Sequence, residues 1–227
     1  MRSKYPAGRA AALGLALLAA AAPVQAQLAP GYSGQSGTRT ASGEEYVWAL
    51  GELGSCLAKS KAQLSAEFLA TRRGTPAEGA AAKRLLGRNT SCLRLLNEMG
   101  VERGLLRGAV AEALYEKAAP TPPAPVSAAA AAAGRMTTAQ LKALGYDGLI
   151  ESVTGCWAAK RPDLVHSLLL DTKLGSDAEA AAVEAMTPRF AECLPTNVKL
   201  NLAPSELRLA LAEAAYKRVA PPRAPTR

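Results

Sequence analysis

The chain has 227 residues, of which 49% are hydrophobic and only 4% aromatic, and its formal net charge is +8. A positive charge of this size favours solubility and is too modest to indicate a nucleic-acid-binding protein. The sequence contains no GxSxG, HExxH, Gly-rich phosphate loop or EF-hand loop, which are the short motifs of common hydrolase, metal and nucleotide sites. We therefore predict no catalytic residue, no cofactor and no metal site.

The first 26 residues have the three parts of an export signal. Three basic residues come first, an apolar run occupies 10–22, and Val24 and Ala26 supply the small residues of a cleavage site. The apolar run is too short to cross a bilayer about 30 Å thick as a helix, and a retained N-terminal anchor is the alternative. Removal of a signal peptide over 1–26 leaves a net charge of +5. The export signal predicts a periplasmic or secreted protein whose mature chain has no transmembrane segment.

An arm and a first helical repeat follow the signal. Residues 27–41 are rich in Gly, Ser and Thr and carry no apolar period, so we predict a disordered arm. The first repeat is predicted over 42–119. Its first helix opens with a capping box at Ser42 and Glu45. One apolar face then follows at three- and four-residue steps, at Val47, Leu50, Leu53 and Leu57.

Three further helices are predicted in this repeat. The second runs over 62–72. The third starts at a capping box, in which the Thr75 hydroxyl accepts from the amide of Glu78 and the Glu78 carboxylate accepts from the N-cap amide. Gly87 is expected to kink or break the third helix. The fourth helix, over 105–119, ends before a proline, as the restriction on pre-proline residues predicts.

A linker rich in Pro and then in Ala, over 120–136, leads to a second helical repeat over 137–220 and a disordered basic tail over 221–227. Residues 74–120 align with 175–221 at a constant shift of 101, and 17 of the 47 pairs are identical. Self-similarity of this kind is typical of two copies of one structural unit.

The second repeat is predicted to have the same helices. A short helix from Thr138 to about Leu144 precedes one that carries Tyr146, Ile150, Val153 and Cys156. Three helices are predicted to follow. One runs over 162–173, the next starts at a capping box formed by Ser176 and Glu179, and the last runs over 206–220. Pro188, the counterpart of Gly87, is expected to interrupt the third of them. The predicted fold is all-α, with two tandem disulfide-linked bundles of about four helices each.

Four cysteines remain after signal removal, and an even number in an exported chain indicates disulfides. Four cysteines allow three connectivities. Only Cys56–Cys92 and Cys156–Cys193 close each repeat on itself, with separations of 36 and 37 residues. Each bridge should stabilise the fold by about 4 kcal/mol in the chain-entropy model. Zinc binding or a redox role is poorly supported, because the sequence has no CxxC and His166 is its one histidine.

Six polar residues recur at equivalent positions of the last helix of each repeat, and they are the candidate binding residues: Arg107, Glu112, Tyr115, Arg208, Glu213 and Tyr216. Arginine would act as an anion clamp and tyrosine as a stacking or hydrogen-bonding group. Alternatively, the tyrosine rings pack while Arg and Glu make helix-end or inter-helix bonds. We favour the alternative, because Arg and Glu five residues apart lie about 140° apart around a helix.

Other polar and aromatic residues are interpreted as structural. Glu78 and Glu179 are explained as caps rather than as acid–base groups. His166 is expected on a solvated helix surface. Trp48 and Trp157 are expected to pack, and Trp157, beside Cys156, could cover the disulfide.

A capped helix, a Cys-Leu pair and an RxAxAEAxY helix occur twice behind an export signal. In this pattern the chain resembles small Ala-rich exported bacterial proteins with a duplicated, Cys-containing helical repeat. The resemblance covers roughly 42–220, implies the bacterial envelope as the location and implies no activity.

The prediction for function is a non-enzymatic helical module that binds an envelope protein or an anionic envelope component, and not nucleic acid. The alternative is an envelope enzyme or small-ligand carrier with its site between the two repeats. A third possibility is a membrane-surface protein that uses the basic ends of the chain.

Overall fold

Ala-rich segments form most of the helices in the described part of the chain. The computed structural model describes residues 43–87, 91–92, 101–126, 138–194, 198 and 200–220, and within these residues it contains eight α-helices and no strand. The prediction of an all-α fold is confirmed. The predicted signal peptide, arm, Ser42 cap and basic tail, and the linker beyond residue 126, lie outside the described residues.

The helices fall into two sets. The N-terminal half contains α1 (Gly43–Ser60), α2 (Ala62–Ala70), α3 (Pro76–Leu86) and α4 (Arg103–Ala118). The C-terminal half contains α5 (Thr138–Lys160), α6 (Pro162–Asp171), α7 (Asp177–Met186), a 3₁₀ helix (Thr187–Glu192) and α8 (Pro204–Val219). All of these elements lie in one compact unit, Thr38–Arg227.

Both predicted helix interruptions in the C-terminal half are present. Gly145 has φ 69° and separates the first turns of α5 from the rest of that helix, a conformation that suits glycine because it has no Cβ. Pro188 lies in the first turn of the 3₁₀ helix that follows α7. In the N-terminal half, α3 ends at Leu86 and Gly87 is its C-cap.

The capping boxes of α3 and α7 are present in altered form. The Thr75 hydroxyl accepts from the amide of Glu78 (3.3 Å), as predicted. The carboxylate of Glu78, however, accepts from the amide of Gly74 (2.9 Å), one residue before the N-cap. Glu179 likewise accepts from Gly175. Both glycines have positive φ, 72° and 79°, and this left-handed turn places their N–H groups, rather than those of the N-caps, against the carboxylates.

The two disulfides join Cys56 to Cys92 and Cys156 to Cys193, with Cα–Cα distances of 5.6 and 5.8 Å. The predicted disulfide bonds are therefore present in the structure. Each bridge ties the first helix of a half to the segment after its third helix. No cysteine among the described residues is free.

Helices α4 and α8 form the centre of the unit. Helix α4 packs against α1, α2 and α8, and α8 packs against α5, α6, α7 and α4. Ten consecutive residues of α4, Leu106–Tyr115, are buried, as are nine consecutive residues of α8, Leu207–Ala215. A run of that length covers every face of a helix, so both helices are enclosed rather than exposed on one side.

Small residues allow the helices to approach closely. A Cβ atom built on Gly54 of α1 would lie 2.4 Å from the backbone carbonyl carbon and oxygen of Ala109 in α4. Only glycine is compatible with this contact. When Cys56 is aligned with Cys156, a shift of 100, the counterpart of Gly54 is Thr154 in α5. Thr154 is buried and its hydroxyl donates to Ile150 O (2.7 Å).

The chain that leaves α4 runs onto the C-terminal half. The amide of Val126 donates to Ala159 O (3.1 Å), and the Arg218 guanidinium donates to Ala124 O (2.9 Å) and to Ala158 O. Burial lowers the pKa of Arg218. These bonds fasten the described start of the linker to the ends of α5 and α8.

Of the predictions for the two tryptophans and the histidine, the structure confirms one and contradicts two. Trp157 is buried and stacks on Phe190 with ring centroids 4.2 Å apart, in the same core cluster as Cys193, as predicted. Trp48 is 56% exposed, so the prediction that it packs is wrong; it lies on the outer side of α1. His166 is partly buried and bonds Tyr115, so the prediction of a solvated surface histidine is also wrong.

Candidate functional site: buried ion pairs between α4 and α8

The four charged candidate residues meet where α4 crosses α8. Arg107 donates to Glu213 Oε1 from Nη2 (2.6 Å) and from Nε (3.0 Å). Arg208 donates to Glu112 Oε1 from Nη2 (2.7 Å) and from Nε (3.1 Å). The N-terminal arginine of each helix therefore pairs with the more C-terminal glutamate of the other. This pairing shows that α4 and α8 run antiparallel to each other.

Each arginine also caps a second helix of its own half. Arg107 donates from Nη2 to Leu69 O (2.9 Å) and Thr71 O (3.0 Å), and from Nη1 to Phe68 O (3.1 Å). These carbonyls lie at and just after the end of α2, where the last turn of a helix leaves carbonyls short of intrahelical donors. Phe68 O also accepts from the Thr71 amide (3.1 Å). The guanidinium lies 5.2 Å from the centroid of the Phe68 ring, close enough for a cation–π contact.

Arg208 makes the matching set of bonds at the end of α6. Its Nη2 donates to Leu169 O (2.9 Å) and Thr172 O (3.1 Å), and its Nη1 donates to Leu168 O (2.6 Å) and to the Thr172 hydroxyl (2.5 Å). A single arginine in each half therefore joins three elements: its own helix, the end of the second helix of its half, and the glutamate of the opposite half.

These arginines are buried within the chain. Arg107 is 0% and Arg208 1% exposed. A buried charge is tolerated only when it is paired and its remaining donors are bonded, and both arginines meet that condition. The structure thus places the four charged candidates in an internal contact. Their proposed role as ligand-binding groups stays a prediction.

The two candidate tyrosines reach from each central helix toward the opposite half. Tyr115 is fully buried, and its hydroxyl lies 3.1 Å from His166 Nδ1 of α6. Burial raises the pKa of the Tyr115 phenol, and the charge of Arg218 partly opposes that effect. Tyr216 is partly buried and packs against core residues of both halves.

The two ion pairs differ in their electrostatic surroundings. Glu213 also accepts from Arg73 through Oε2 (2.5 and 3.0 Å), and Oε1 lies 2.8 Å from Lys217 Nζ. Burial alone would raise the pKa of Glu213. The hydrogen bond from Arg107 and the charges of Arg73, Arg107 and Lys217 outweigh burial and lower the pKa to about 2.

Fewer cations surround the second pair. Glu112 forms an ion pair with Arg208, and among the described residues it forms none with any other cation. Burial raises the pKa of the nearby Glu116 carboxyl, and the charge of Glu112 raises it further. Burial also raises the pKa of Glu179, although the Gly175 amide and Arg208 oppose that change.

A further polar region lies at the start of α4 and near the kink of α5. The amide of Glu102 donates to the Tyr46 hydroxyl (3.4 Å). Burial raises the pKa of the Glu102 carboxyl, and the charges of Glu206 and Asp147 raise it further. Within the described ranges, no group of three or more His, Cys, Asp or Glu side chains is arranged to hold a metal ion. No helix in this part of the chain has the length and apolar composition needed to cross a bilayer.

Sequence reasoning missed several members of this network. Arg73, Thr71 and Thr172 were not candidates, and Glu78 was interpreted only as a cap, although its Oε1 also lies 3.3 Å from Arg107 Nη1. A usable signal was present: an Arg and a Glu at the same five-residue spacing in two similar helices can pair reciprocally when those helices are antiparallel.

Comparisons with other proteins give no further assignment. No protein-family model matches this sequence, and no curated protein or solved structure matches it either.

Proposed function

We propose that this protein is an exported, non-enzymatic module in which two copies of one disulfide-linked helical unit dock to form a rigid body that binds a partner in the envelope. The partner is a protein or an anionic envelope component. One observation carries the proposal: the polar side chains that recur in both halves are used to hold the halves together, and the four charged ones are at most 8% exposed.

The matching contacts of the two halves support a duplication. Arg107 and Arg208 bond the same three kinds of partner, at the end of α2 in one half and of α6 in the other. Each half has one disulfide between its first helix and the segment after its third helix. A contact that must be rebuilt in each copy of a scaffold is expected to recur in this way.

The disulfides support export, because such bonds persist in oxidising compartments outside the cytoplasm. Two bridges also stabilise the folded body that presents the binding surface, since each limits the freedom of the unfolded chain. The burial of the α4–α8 contact favours binding by an outer surface over a small-ligand or catalytic site between the halves, because the α4–α8 contact is occupied by the protein's own side chains.

Two measurements test the proposal. The first is the mass and N-terminal sequence of the chain in periplasmic extract, with peptide mapping under non-reducing conditions. We expect cleavage after Ala26 and the bridges Cys56–Cys92 and Cys156–Cys193. A full-length chain with free thiols in the cytoplasm would contradict export.

The second measurement is photo-cross-linking in intact cells. A benzoylphenylalanine residue is placed, one position at a time, at exposed residues spread over both halves, among them Trp48 and Lys59 of α1. We expect discrete adducts from at least one of a set of exposed positions spread over both halves. A set that yields only monomer would contradict the binding function.

A further inference from the structure

The two ends of the α4–α8 contact are equivalent in position but not in charge. At one end, Glu213 contacts three cations: Arg107, Arg73 and Lys217. At the other end, Glu112 contacts only Arg208 among the described cations. The sequence explains the difference, because at a shift of 101 Leu174 stands in place of Arg73 and Glu116 in place of Lys217.

The second end is therefore rich in carboxylates and more open. We call it the Arg208 end and define it by Glu112, Glu116, Glu179 and Arg208. The Glu112 side chain is 11% exposed, whereas that of Glu213 is 3% exposed. Glu116 is exposed at the surface of α4, one turn beyond Glu112.

A buried acceptor at this end has no partner. Oε1 of Glu179 is buried and makes no hydrogen bond to the described residues, although Glu179 as a whole is 1% exposed. Its counterpart in the other half, Glu78 Oε1, lies 3.3 Å from Arg107 Nη1. Arg208 instead directs Nη1 to Leu168 O and Thr172, so Glu179 interacts with Arg208 and Glu112 only through its charge. Buried polar atoms without partners are uncommon and call for an explanation.

We propose that the Arg208 end binds an arginine side chain of a protein partner, in the position that Arg73 occupies on Glu213 at the other end. This inference rests on the proposed function, and it adds that the protein partner presents an arginine. The guanidinium bonds Glu112 Oε2 and Glu116. Its charge also balances the three carboxylates Glu112, Glu116 and Glu179, against which the chain itself sets Arg208 and Lys117.

The other end of the contact shows why the ligand is an arginine. Arg73 uses both Nε (3.0 Å) and Nη2 (2.5 Å) on a single oxygen, Glu213 Oε2. A planar guanidinium offers paired donors that match a carboxylate, whereas the ammonium group of lysine is a point charge. The equivalent oxygen at the Arg208 end is Glu112 Oε2. Among the described residues it accepts one hydrogen bond, from Arg208 Nε (3.1 Å), and can accept another from a bound guanidinium.

The titration of the site supports the same assignment. Partial desolvation of its carboxyl raises the pKa of Glu116, and Glu112 adds to the effect while Arg208 and Lys117 oppose it. Burial raises the pKa of Glu179 as well, with Glu112 adding to the effect and the Gly175 amide and Arg208 opposing it. A bound guanidinium lowers both pKa values, so binding releases protons and strengthens as pH rises through the range in which these carboxyls titrate.

The test uses the mature, oxidised chain and the peptide acetyl-Gly-Arg-Gly-amide at an ionic strength of about 0.15 M, where exposed charges are screened over about 8 Å, with binding followed by two-dimensional amide NMR. The matched probe is the same peptide with citrulline, which keeps the shape of arginine and removes its charge. We expect saturable shifts at the C-terminal end of α4 with the arginine peptide, and none with the citrulline peptide.

The variant Glu116→Lys reproduces at Glu112 the arrangement that Lys217 makes with Glu213. It should weaken binding of the arginine peptide roughly tenfold or more, equivalent to about 1.4 kcal/mol. The control Glu184→Lys makes the same charge change at an exposed position of α7 and should leave binding within about twofold, because exposed charges act weakly on distant sites in solution. Glu116→Gln, which removes only the negative charge, serves if the lysine variant does not fold.

The site would be overturned if the arginine and citrulline peptides bind equally, or if neither binds. It would also be overturned if Glu116→Lys and Glu184→Lys lower the affinity for the arginine peptide equally. The outcome is separable from the proposed function. Cellular cross-links that persist unchanged in Glu116→Lys would leave a binding module with a different site, whereas the absence of cross-links in every chain would remove the function itself.

Discussion

Gly108 of α4 lies against the backbone of Leu209 in α8. A Cβ atom built on Gly108 would be 2.3 Å from Leu209 Cβ and 2.5 Å from Leu209 O. These residues are each other's counterparts at the shift of 101, so this backbone contact between α4 and α8 brings equivalent positions of the two halves together. A glycine on one side makes this contact possible, because two side chains cannot occupy the same place.

The first prediction concerns this contact. Gly108→Ala should lower the free energy of unfolding by about 1–3 kcal/mol, because the new methyl group meets backbone atoms that cannot move aside. The loss should occur although alanine is favoured over glycine in a helix by about 1 kcal/mol. Urea unfolding followed by circular dichroism measures it.

Gly155→Ala is the matched control, because a Cβ built on Gly155 within α5 meets nothing within 4 Å. It should be neutral or should stabilise by up to about 1 kcal/mol. Equal effects of the two alanines would show that Gly108 is not at a close contact.

The second prediction ranks the two arginines. Arg208→Met should cost about 3–5 kcal/mol, because it leaves Glu112 buried with no described cation. Arg107→Met should cost less, since Arg73 and Lys217 still contact Glu213. Adding Glu112→Gln to Arg208→Met should recover part of the loss by removing the unpaired charge.

Arg84→Met controls for the loss of an exposed arginine, because the Arg84 side chain is 59% exposed and lies 3.9 Å from Glu67. It should change stability by no more than about 0.5 kcal/mol. If Arg107→Met proves the more damaging of the two buried substitutions, the electrostatic difference between the ends is not the dominant effect.

The third prediction is a loss of stability in acid from Glu213. Its pKa of about 2 in the folded chain lies below the ordinary 4.5. Its stabilisation is therefore complete above pH 4.5 and is lost as the pH falls toward 2, by about 3 kcal/mol in all. In Glu213→Gln, stability should be lower at pH 6 and should fall less between pH 4.5 and 2. An unchanged acid slope in this variant would be evidence against the ion pair.

The fourth prediction has the opposite sign and concerns Glu179. Burial raises its pKa, so its protonated form is favoured in the folded chain. The associated stability is present below the ordinary pKa and is lost as the pH rises through the raised value. Glu179→Gln keeps an oxygen for the Gly175 amide and removes the buried charge. This variant should be more stable than the wild type at pH 7, with the difference vanishing at pH 4. A less stable variant at pH 7 would contradict the assignment.

Local features of the fold could be predicted from the sequence. The Thr75 and Ser176 caps, the break at Pro188 and the two disulfides depend on residues close in sequence or on pairing within each half of the chain. The destination of the Glu78 carboxylate could not be predicted, because it depends on the left-handed turn at Gly74.

The docking of the halves was beyond local reasoning. Arg107 and Glu213 are 106 residues apart, and nothing near either residue identifies the other. The apolar stripe of the last helix indicated one buried face, whereas α4 is buried on every face because α8 covers the remainder. Trp48 was expected to pack because of its residue type alone, and its place on the outer side of α1 leaves it exposed.

The central claim is that α4 and α8 join the two halves into one folded body. The most direct test inserts a specific protease site between Ser127 and Ala128, cleaves the oxidised, folded chain and applies it to a size-exclusion column without denaturant. The two fragments should elute together at the volume of the uncleaved chain and should separate only in urea. Separate elution of the fragments without denaturant would contradict the claim.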